Sequence, residues 1–162
     1  MKKTHILFYL APLFVLLMLA KSLLAASPKD AALHRIGIRT VDAIAYGNPV
    51  YVASIADPEG IYIGYDGVLH TADSFRTDLA RHAGVYCELF EKDCKTVHNP
   101  TYTLEHVFRS GANRTKSDLK FKINGNTATV EYWEFGGAGD LIATFTFRFA
   151  KGRWYLRDIH FI

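Results

Sequence analysis

The stretch Leu119-Lys120-Phe121-Lys122-Ile123-Asn124-Gly125-Asn126-Thr127-Ala128-Thr129-Val130-Glu131-Tyr132-Trp133 decides the fold class. Apolar side chains at 119, 121 and 123 alternate with lysines, and apolar residues return at 128, 130 and 132. A period of two marks a strand with one buried face. Asn124-Gly125 suits the two positive φ angles of a type I′ turn, so the runs on either side predict a β-hairpin. A two-residue loop sets Phe121 opposite Ala128 and Leu119 opposite Val130, with Lys120 and Lys122 facing Thr129 and Thr127. Turn chemistry and hydrophobic pattern then agree on which face is buried.

Toward the C-terminus this strand runs on through Tyr132-Trp133-Glu134-Phe135 into the Gly136-Gly137-Ala138-Gly139 connection. Leu141 to Phe149 reads as a further strand, and Lys151-Gly152 turns it into a last one, Trp154 to Ile162. Two registers stand for this second hairpin. A two-residue Lys151-Gly152 loop sets Phe149 opposite Trp154 and Phe145 opposite Asp158, which puts Asp158 and His160 on the core face with Leu156 and Ile162. A three-residue Ala150-Lys151-Gly152 loop slips the pairing by one, turning Tyr155, Arg157, Ile159 and Phe161 inward and Asp158 and His160 to water.

Toward the N-terminus the period changes to 3.6. Ser27-Pro28-Lys29-Asp30 has a hydroxyl N-cap, proline at the first helical position and an acid three residues after the cap. Leu33, Ile36, Val41 and Ile44 follow at helical spacing until Gly47. Asn48-Pro49 repeats the start signal for a segment through Ala56, which the turn Asp57-Pro58-Glu59-Gly60 ends. Ile61 to Tyr65 reads as a strand, Asp66-Gly67 as a tight turn, and Val68 to His70 as its return. A third helix is expected from near Asp73, carrying Phe75, Leu79 and Ala83 inward before Gly84. Helices followed by an antiparallel meander define an α+β fold, with N-terminal helices packed on a curved antiparallel sheet.

This order, with the phrases Ala43-Ile44-Ala45-Tyr46-Gly47-Asn48, Asp57-Pro58-Glu59-Gly60-Ile61 and Lys151-Gly152-Arg153-Trp154-Tyr155-Leu156, resembles the nuclear transport factor two-like superfamily. Its cystatin-like, cone-shaped fold also houses ketosteroid isomerase and polyketide-cyclase-like proteins. The resemblance implies a conical pocket between the helices and the sheet. It implies nothing definite about chemistry, because many members of the superfamily are not enzymes.

At the start of the chain, Lys2 and Lys3 precede an uncharged apolar run from Ile6 to Ala20 and the small residues Ser22, Ala25 and Ala26. That order is a secretion leader, so residues 1–26 are expected to be a signal peptide and 27–162 a single domain that is periplasmic or secreted. The run is broken by Pro12, stops at Lys21, and falls short of the roughly 20 residues that span a bilayer. Cleavage is therefore expected ahead of a retained N-terminal anchor, leaving no stable membrane insertion. Two cut sites compete, at Ala20-Lys21-Ser22 and after Ala26. All sixteen acidic residues lie after Ala26, whereas Lys2, Lys3 and Lys21 of the nineteen basic ones lie before it. The domain without its leader is neutral overall and gives no warrant for nucleic-acid binding. The one basic concentration, Arg114, Lys116, Lys120 and Lys122, reads as a solvated strand face.

Cys87 and Cys94 are the only two cysteines. In an exported chain they are expected to pair, stapling a short excursion worth roughly 2–3 kcal/mol. Their spacing matches neither a zinc knuckle nor a Cys-x-x-Cys redox site. His34, His70, His82, His98 and His106 have no ligand spacing, so no metal is expected. No dinucleotide fingerprint, nucleophile elbow or other cofactor motif occurs, and no cofactor is expected. Asn113-Arg114-Thr115 fits a glycosylation sequon.

Asp158 and His160, two residues apart on one strand face, are the candidate acid/base pair, since a carboxylate can orient and charge-stabilise an imidazole. Tyr132 and Glu134 on the inward face would complete such a site. The alternative is a hydrogen-bonded structural role. Tyr51, Tyr62 and Tyr65 near the first turn, with Trp133 on the outward strand face, are the candidate binding surface; the plainer reading is that they roof the core. Two functions follow. One is non-catalytic binding of a small apolar ligand or a protein partner, with a homodimer through the sheet as one form. The other is a cofactor-free isomerase, dehydratase or cyclase using Asp158, His160, Glu134 and Tyr132.

Overall fold

The computed structural model describes residues 27–90, 94, 103–110, 119–133 and 139–161. The leader, His98, the sequon at Asn113, Arg114 and Lys116 of the basic cluster, Glu134, Gly136, Gly137 and Ile162 lie outside the described residues. The chain divides into two compact units, Met1–Ala31 and Ala32–Ile162. In the first, Ser27 Oγ accepts from the Asp30 N–H at 3.1 Å and opens the first helix. The second carries the sheet and everything discussed below.

Helix α1 spans Pro28–Ala45. Its buried positions Leu33, Gly37, Thr40, Val41 and Ile44 form one stripe at helical spacing. Gly37 allows a close approach to the sheet, because a Cβ there would stand 2.9 Å from the Phe121 ring and 3.1 Å from Val130. Helix α2, Pro49–Ile55, is capped as the sequence predicts, with Asn48 Oδ1 accepting from the Tyr51 N–H at 3.0 Å. Strands β1 (Ile61–Ile63) and β2 (Val68–His70) form a small hairpin. Helix α3, Ala72–Arg81, starts on Thr71, whose Oγ1 accepts from the Ser74 N–H, and buries Phe75 and Leu79.

Two further helices occupy the region around the cysteines: α4, Val85–Leu89, and α5, Leu104–Ser110. Sequence reading named neither: α5 starts on Thr103, whose Oγ1 accepts from the His106 N–H at 3.2 Å, while α4 has no side-chain cap and is held by packing. Val85, Tyr86, Cys87 and Leu89 of α4 are all buried. The expected disulfide joins Cys87 to Cys94.

Strands β3 (Leu119–Asn124), β4 (Thr127–Trp133), β5 (Leu141–Ala150) and β6 (Arg153–Phe161) form the meander. The sheet order is β2-β1-β6-β5-β4-β3, and every neighbouring pair is antiparallel except β1 with β6. That parallel pairing corrects the all-antiparallel expectation. The fold class stands: α+β, with helices packed on a mostly antiparallel six-stranded sheet.

The β3–β4 register also differs from expectation. Asn124 pairs with Thr127, so the loop is Gly125-Asn126, and Phe121 faces Val130 while Leu119 faces Tyr132. Gly125 takes the positive φ of +60° and Asn126 does not. The shift is two residues, an even number, so every side chain keeps its predicted face. Ala128, Val130 and Tyr132 are buried, and Lys120 and Lys122 stay outside on an edge strand, where charge discourages pairing with another chain.

The chain between α2 and β1 is tied to the meander by a buried carboxylate. Asp57 is fully buried, and its backbone N–H donates to Leu156 O at 2.8 Å. Arg148, ninety-one residues away, donates through Nε to Oδ2 at 2.6 Å and through Nη2 to Oδ1 at 2.7 Å. The Glu59 N–H adds a third bond to Oδ1, and Glu59 itself pairs with Arg148 at 3.1 Å. Gly60 closes the turn at φ +109°, with its Cα so near His70 O that a Cβ would lie 2.8 Å away. Burial pushes the Asp57 carboxyl up, but the Arg148 and Glu59 hydrogen bonds and the charges of Arg148 and Arg157 outweigh it and hold the group below its ordinary value.

A folded-state proton affinity below the unfolded one means that unfolding takes up a proton in acid. The stabilisation is therefore complete above the ordinary carboxylate value of 3.8 and is lost as pH falls through the lower folded value. Thermal melts from pH 7 to pH 2 should show Asp57→Asn less stable at neutral pH, by roughly 10 °C. The difference from the parent should narrow through that acid window, and a difference constant with pH would refute the linkage.

Candidate functional site

The position of Asp158 and His160 is set by one extra residue in β6. The hairpin begins with the two-residue loop, Lys151 at φ +50° and Gly152 at φ +77°, and pairs Phe149 with Trp154 and Phe147 with Leu156. Beyond that a β-bulge shifts the register, so that Thr146 pairs with Asp158, Phe145 with Ile159 and Thr144 with His160. The hairpin therefore starts in one predicted register and finishes on the faces of the other. Phe145, Phe147, Leu156 and Ile159 are fully buried on the core face. Asp158 and His160 stand on the opposite face with Thr144 and Thr146, which corrects the expectation that they share a face with Leu156. The physical reason is that the bulge lets Ile159 rather than Asp158 meet Phe145 in the core.

The bulge is matched by its neighbours. Ala56 bridges Leu156 and Tyr62 pairs with Asp158, so the Asp57–Gly60 turn is looped out beside Arg157. Arg157 Nη1 donates to Gly60 O at 2.8 Å, and its guanidinium lies 5.2 Å from the centre of the Tyr62 ring. Asp158 is half-buried. Burial raises its pKa, and the nearby His160 opposes that rise. The Tyr65 ring stands 5.8 Å from that of His160.

Of the expected acid/base site, Asp158 and His160 are neighbours on one face, and Tyr132 is not brought to them. Tyr132 points inward as predicted, buried against Phe108 with ring centres 4.7 Å apart. The sheet separates it from Asp158 and His160. Glu134 lies outside the described residues. The aromatic surface is likewise dispersed. Tyr62 is half-buried beside Asp158, and Tyr65 is 71% exposed at the β1–β2 turn. Trp133 is on the outward face as predicted. Its Nε1 donates to Glu131 at 3.0 Å, and Lys120 lies 4.1 Å over its ring. Glu131 also pairs with Lys122, whose hydrogen bond holds the Glu131 carboxyl below its usual range against the opposing effect of burial.

A cleft lies elsewhere, between α1, α2 and the β5–β6 turn. It is an open cleft of about 340 Å³ lined by Ala32, Ile36, Ile55, Tyr51 and Trp154, with Arg35, Arg39, Gly152 and Arg153 around them. Apolar side chains and an indole contribute most of the surface, and the arginines Arg35 and Arg39 of α1 supply charge. Tyr51 is held by the Arg39 guanidinium, 4.7 Å from its ring centre, and by a hydrogen bond with Thr40. Burial raises the Tyr51 pKa more than Arg39 and Thr40 lower it, so the phenol is neutral at physiological pH. Sequence reading named only Tyr51 of this site, as part of an aromatic surface. The available signal was Arg35 and Arg39 at i, i+4 on the same side of a helix as Ala32 and Ile36.

Among the described residues no cluster of three metal-ligating side chains occurs, and no helix is long and apolar enough to cross a membrane. The fold and its surface define an α+β protein with a cleft at the helix–hairpin junction and a polar outer sheet face.

Solved structures with a related arrangement include an NTF2-like protein from Cytophaga hutchinsonii, 10% identical with a TM-score of 0.45, covering 83% of this chain and 97% of that one. A protein of unknown function with a cystatin-like fold from Nostoc punctiforme is 11% identical with a TM-score of 0.45, covering 84% and 91%. The CaMKII hub of S. rosetta is 15% identical with a TM-score of 0.41, covering 85% and 97%. Likeness at this level carries nothing about ligand or activity. No family model and no curated protein matches the sequence.

The half-buried Asp158 makes a testable difference. An acid whose folded pKa is raised is destabilising while ionised, and the penalty disappears as pH falls through the folded value toward 3.8. Asp158→Asn should therefore be as stable as the parent or slightly more stable at pH 7, by up to about 1 kcal/mol, with the gap closing in acid. Urea titrations at pH 7 and pH 4 measure it, and a large loss at pH 7 would contradict this account.

Proposed function

We propose that this chain is an exported, non-catalytic binding domain that takes a small ligand in the cleft between α1, α2 and the β5–β6 turn. The observation that carries the reading is the cleft itself, where an apolar lining and a few directed polar groups converge as they do in ligand sites. Two further points support it. Asp158 and His160 share the outer sheet face, away from Tyr132 and from the cleft. The Cys87–Cys94 disulfide suits an oxidising compartment, in keeping with a leader over residues 1–26. Under this reading residues 27–162 act as one functional domain, and the outer sheet face is left for a protein partner or a second copy.

Filling the cleft tests the proposal. Protein purified from its native host and examined by native mass spectrometry should carry a small molecule. Ala32→Phe should lose it while keeping the circular dichroism spectrum of the parent. Retention by Ala32→Phe, or repeated purification without any adduct, would overturn the cleft as the site. A mass of two chains that survives without adduct would favour assembly through the sheet instead. N-terminal sequencing of the same sample should begin at one of the two predicted cut sites, and a start at Met1 would refute the leader.

A further inference from the structure

We propose that the ligand of this cleft is a monoanionic amphiphile, a carboxylate- or phosphate-headed molecule with a compact apolar body. The inference rests on the cleft being a binding site and adds the chemistry of what enters it.

The charge pattern is one-sided. Three of the nine lining residues are arginines and none is acidic. Arg35 and Arg39 are one helical turn apart on α1, while Arg153, at the first residue of β6, alternates with the inward Trp154 and stacks on Tyr155 beside the cleft. Three described guanidiniums elsewhere find carboxylates, Arg148 with Asp57 and Glu59, Arg76 with Asp73, and Arg109 with Glu105, whereas Arg157 goes to Gly60 O. The cleft arginines pair with none. Arg39 rests over the Tyr51 ring, and Arg153 lies 4.3 Å from the centre of the Tyr155 ring. Stacking on an aromatic face fixes a guanidinium plane and leaves its N–H donors directed outward, ready for the oxygens of an anion. Tyr51 is a neutral phenol and adds no opposing charge.

The lining fixes the rest of the ligand. Ala32, Ile36, Ile55 and the indole of Trp154 offer no charge and reward a molecule whose body leaves water. A volume near 340 Å³ suits a single chain of medium length or one ring system rather than a long lipid. A bare inorganic anion would leave that surface unused. An uncharged hydrocarbon would leave the two exposed α1 guanidiniums at the cleft without an oxygen to meet.

Trp154 provides the readout. The chain has two tryptophans, so Trp133→Phe leaves Trp154 as the sole reporter in the cleft. Decanoate, decanol and decyltrimethylammonium are titrated below their micelle thresholds while Trp154 emission is followed. Decanoate should bind about tenfold more tightly than decanol, and more weakly as salt rises; the ammonium should be weakest. In an Arg35→Gln, Arg39→Gln background, decanoate should fall to the affinity of decanol, with decanol unchanged. If decanol binds as well as decanoate, or the ammonium binds best, the anionic assignment fails while the cleft survives as a site. The assignment also fails if decanoate affinity is indifferent to both arginines. If no probe perturbs Trp154 and Ala32→Phe changes nothing, the cleft itself fails as a binding site.

Discussion

The buried pair of Asp57 and Arg148 is the constraint on which the rest of the sheet depends. A fully buried carboxylate is costly unless its oxygens are satisfied, and here two guanidinium N–H groups and the Glu59 N–H satisfy them. Because the partners belong to the segment after α2 and to β5, satisfying the charge brings the N-terminal half of the chain to a fixed place on the C-terminal meander. The Asp57 N–H bond to Leu156 and the Ala56–Leu156 bridge complete the join. From there the Asp57–Gly60 turn delivers Ile61–Ile63 alongside β6, which makes that pairing parallel in an otherwise antiparallel sheet.

The same join accounts for the bulge. With the turn looped out against β6, Arg157 is spent on Gly60 O and the Tyr62 ring, and the strand takes one residue more than its partner β5. The register beyond it changes by one, and a one-residue change exchanges the two faces. Ile159 enters the core in line with Leu156, and Asp158 and His160 emerge beside Thr144 and Thr146. An acid and an imidazole that look like a pocket pair in the sequence thus become neighbours on an outer sheet face, where Tyr132 cannot reach them.

What remains concave is the junction of helices and hairpin. Helix α1 brings two arginines, α2 brings Tyr51 and Ile55, and the tight Lys151-Gly152 turn holds Arg153 and Trp154 against them. Each of these elements is fixed by a local device of its own, an N-cap for α2 and a positive-φ turn for the hairpin. A cleft built between anchored elements is preorganised, which lowers the ordering cost of binding. The charged outer face, by contrast, satisfies much of its charge within itself through Glu131, Lys122, Lys120 and Trp133.

The sequence by itself determined what depends on neighbouring residues. Ser27-Pro28 and Asn48-Pro49 announce helix starts because a cap is satisfied within three residues. The alternation of 119–123 and 128–132 reveals which side chains are buried, and it survives a two-residue error in register because faces repeat every two residues. Cys87 and Cys94 are near enough in the chain to be paired on spacing and compartment alone. The tertiary structure alone decided the Asp57–Arg148 pair, the parallel β1–β6 contact, the bulge at Arg157 and the cleft. Apart from the Arg35–Arg39 spacing on α1, none of these leaves a local signal, since each arises where distant segments compete to bury apolar surface and satisfy charge. Asp158 and Ile159 are adjacent and both fit a strand. Only the packing of Phe145 and the place of the Asp57 turn decide which of them faces inward.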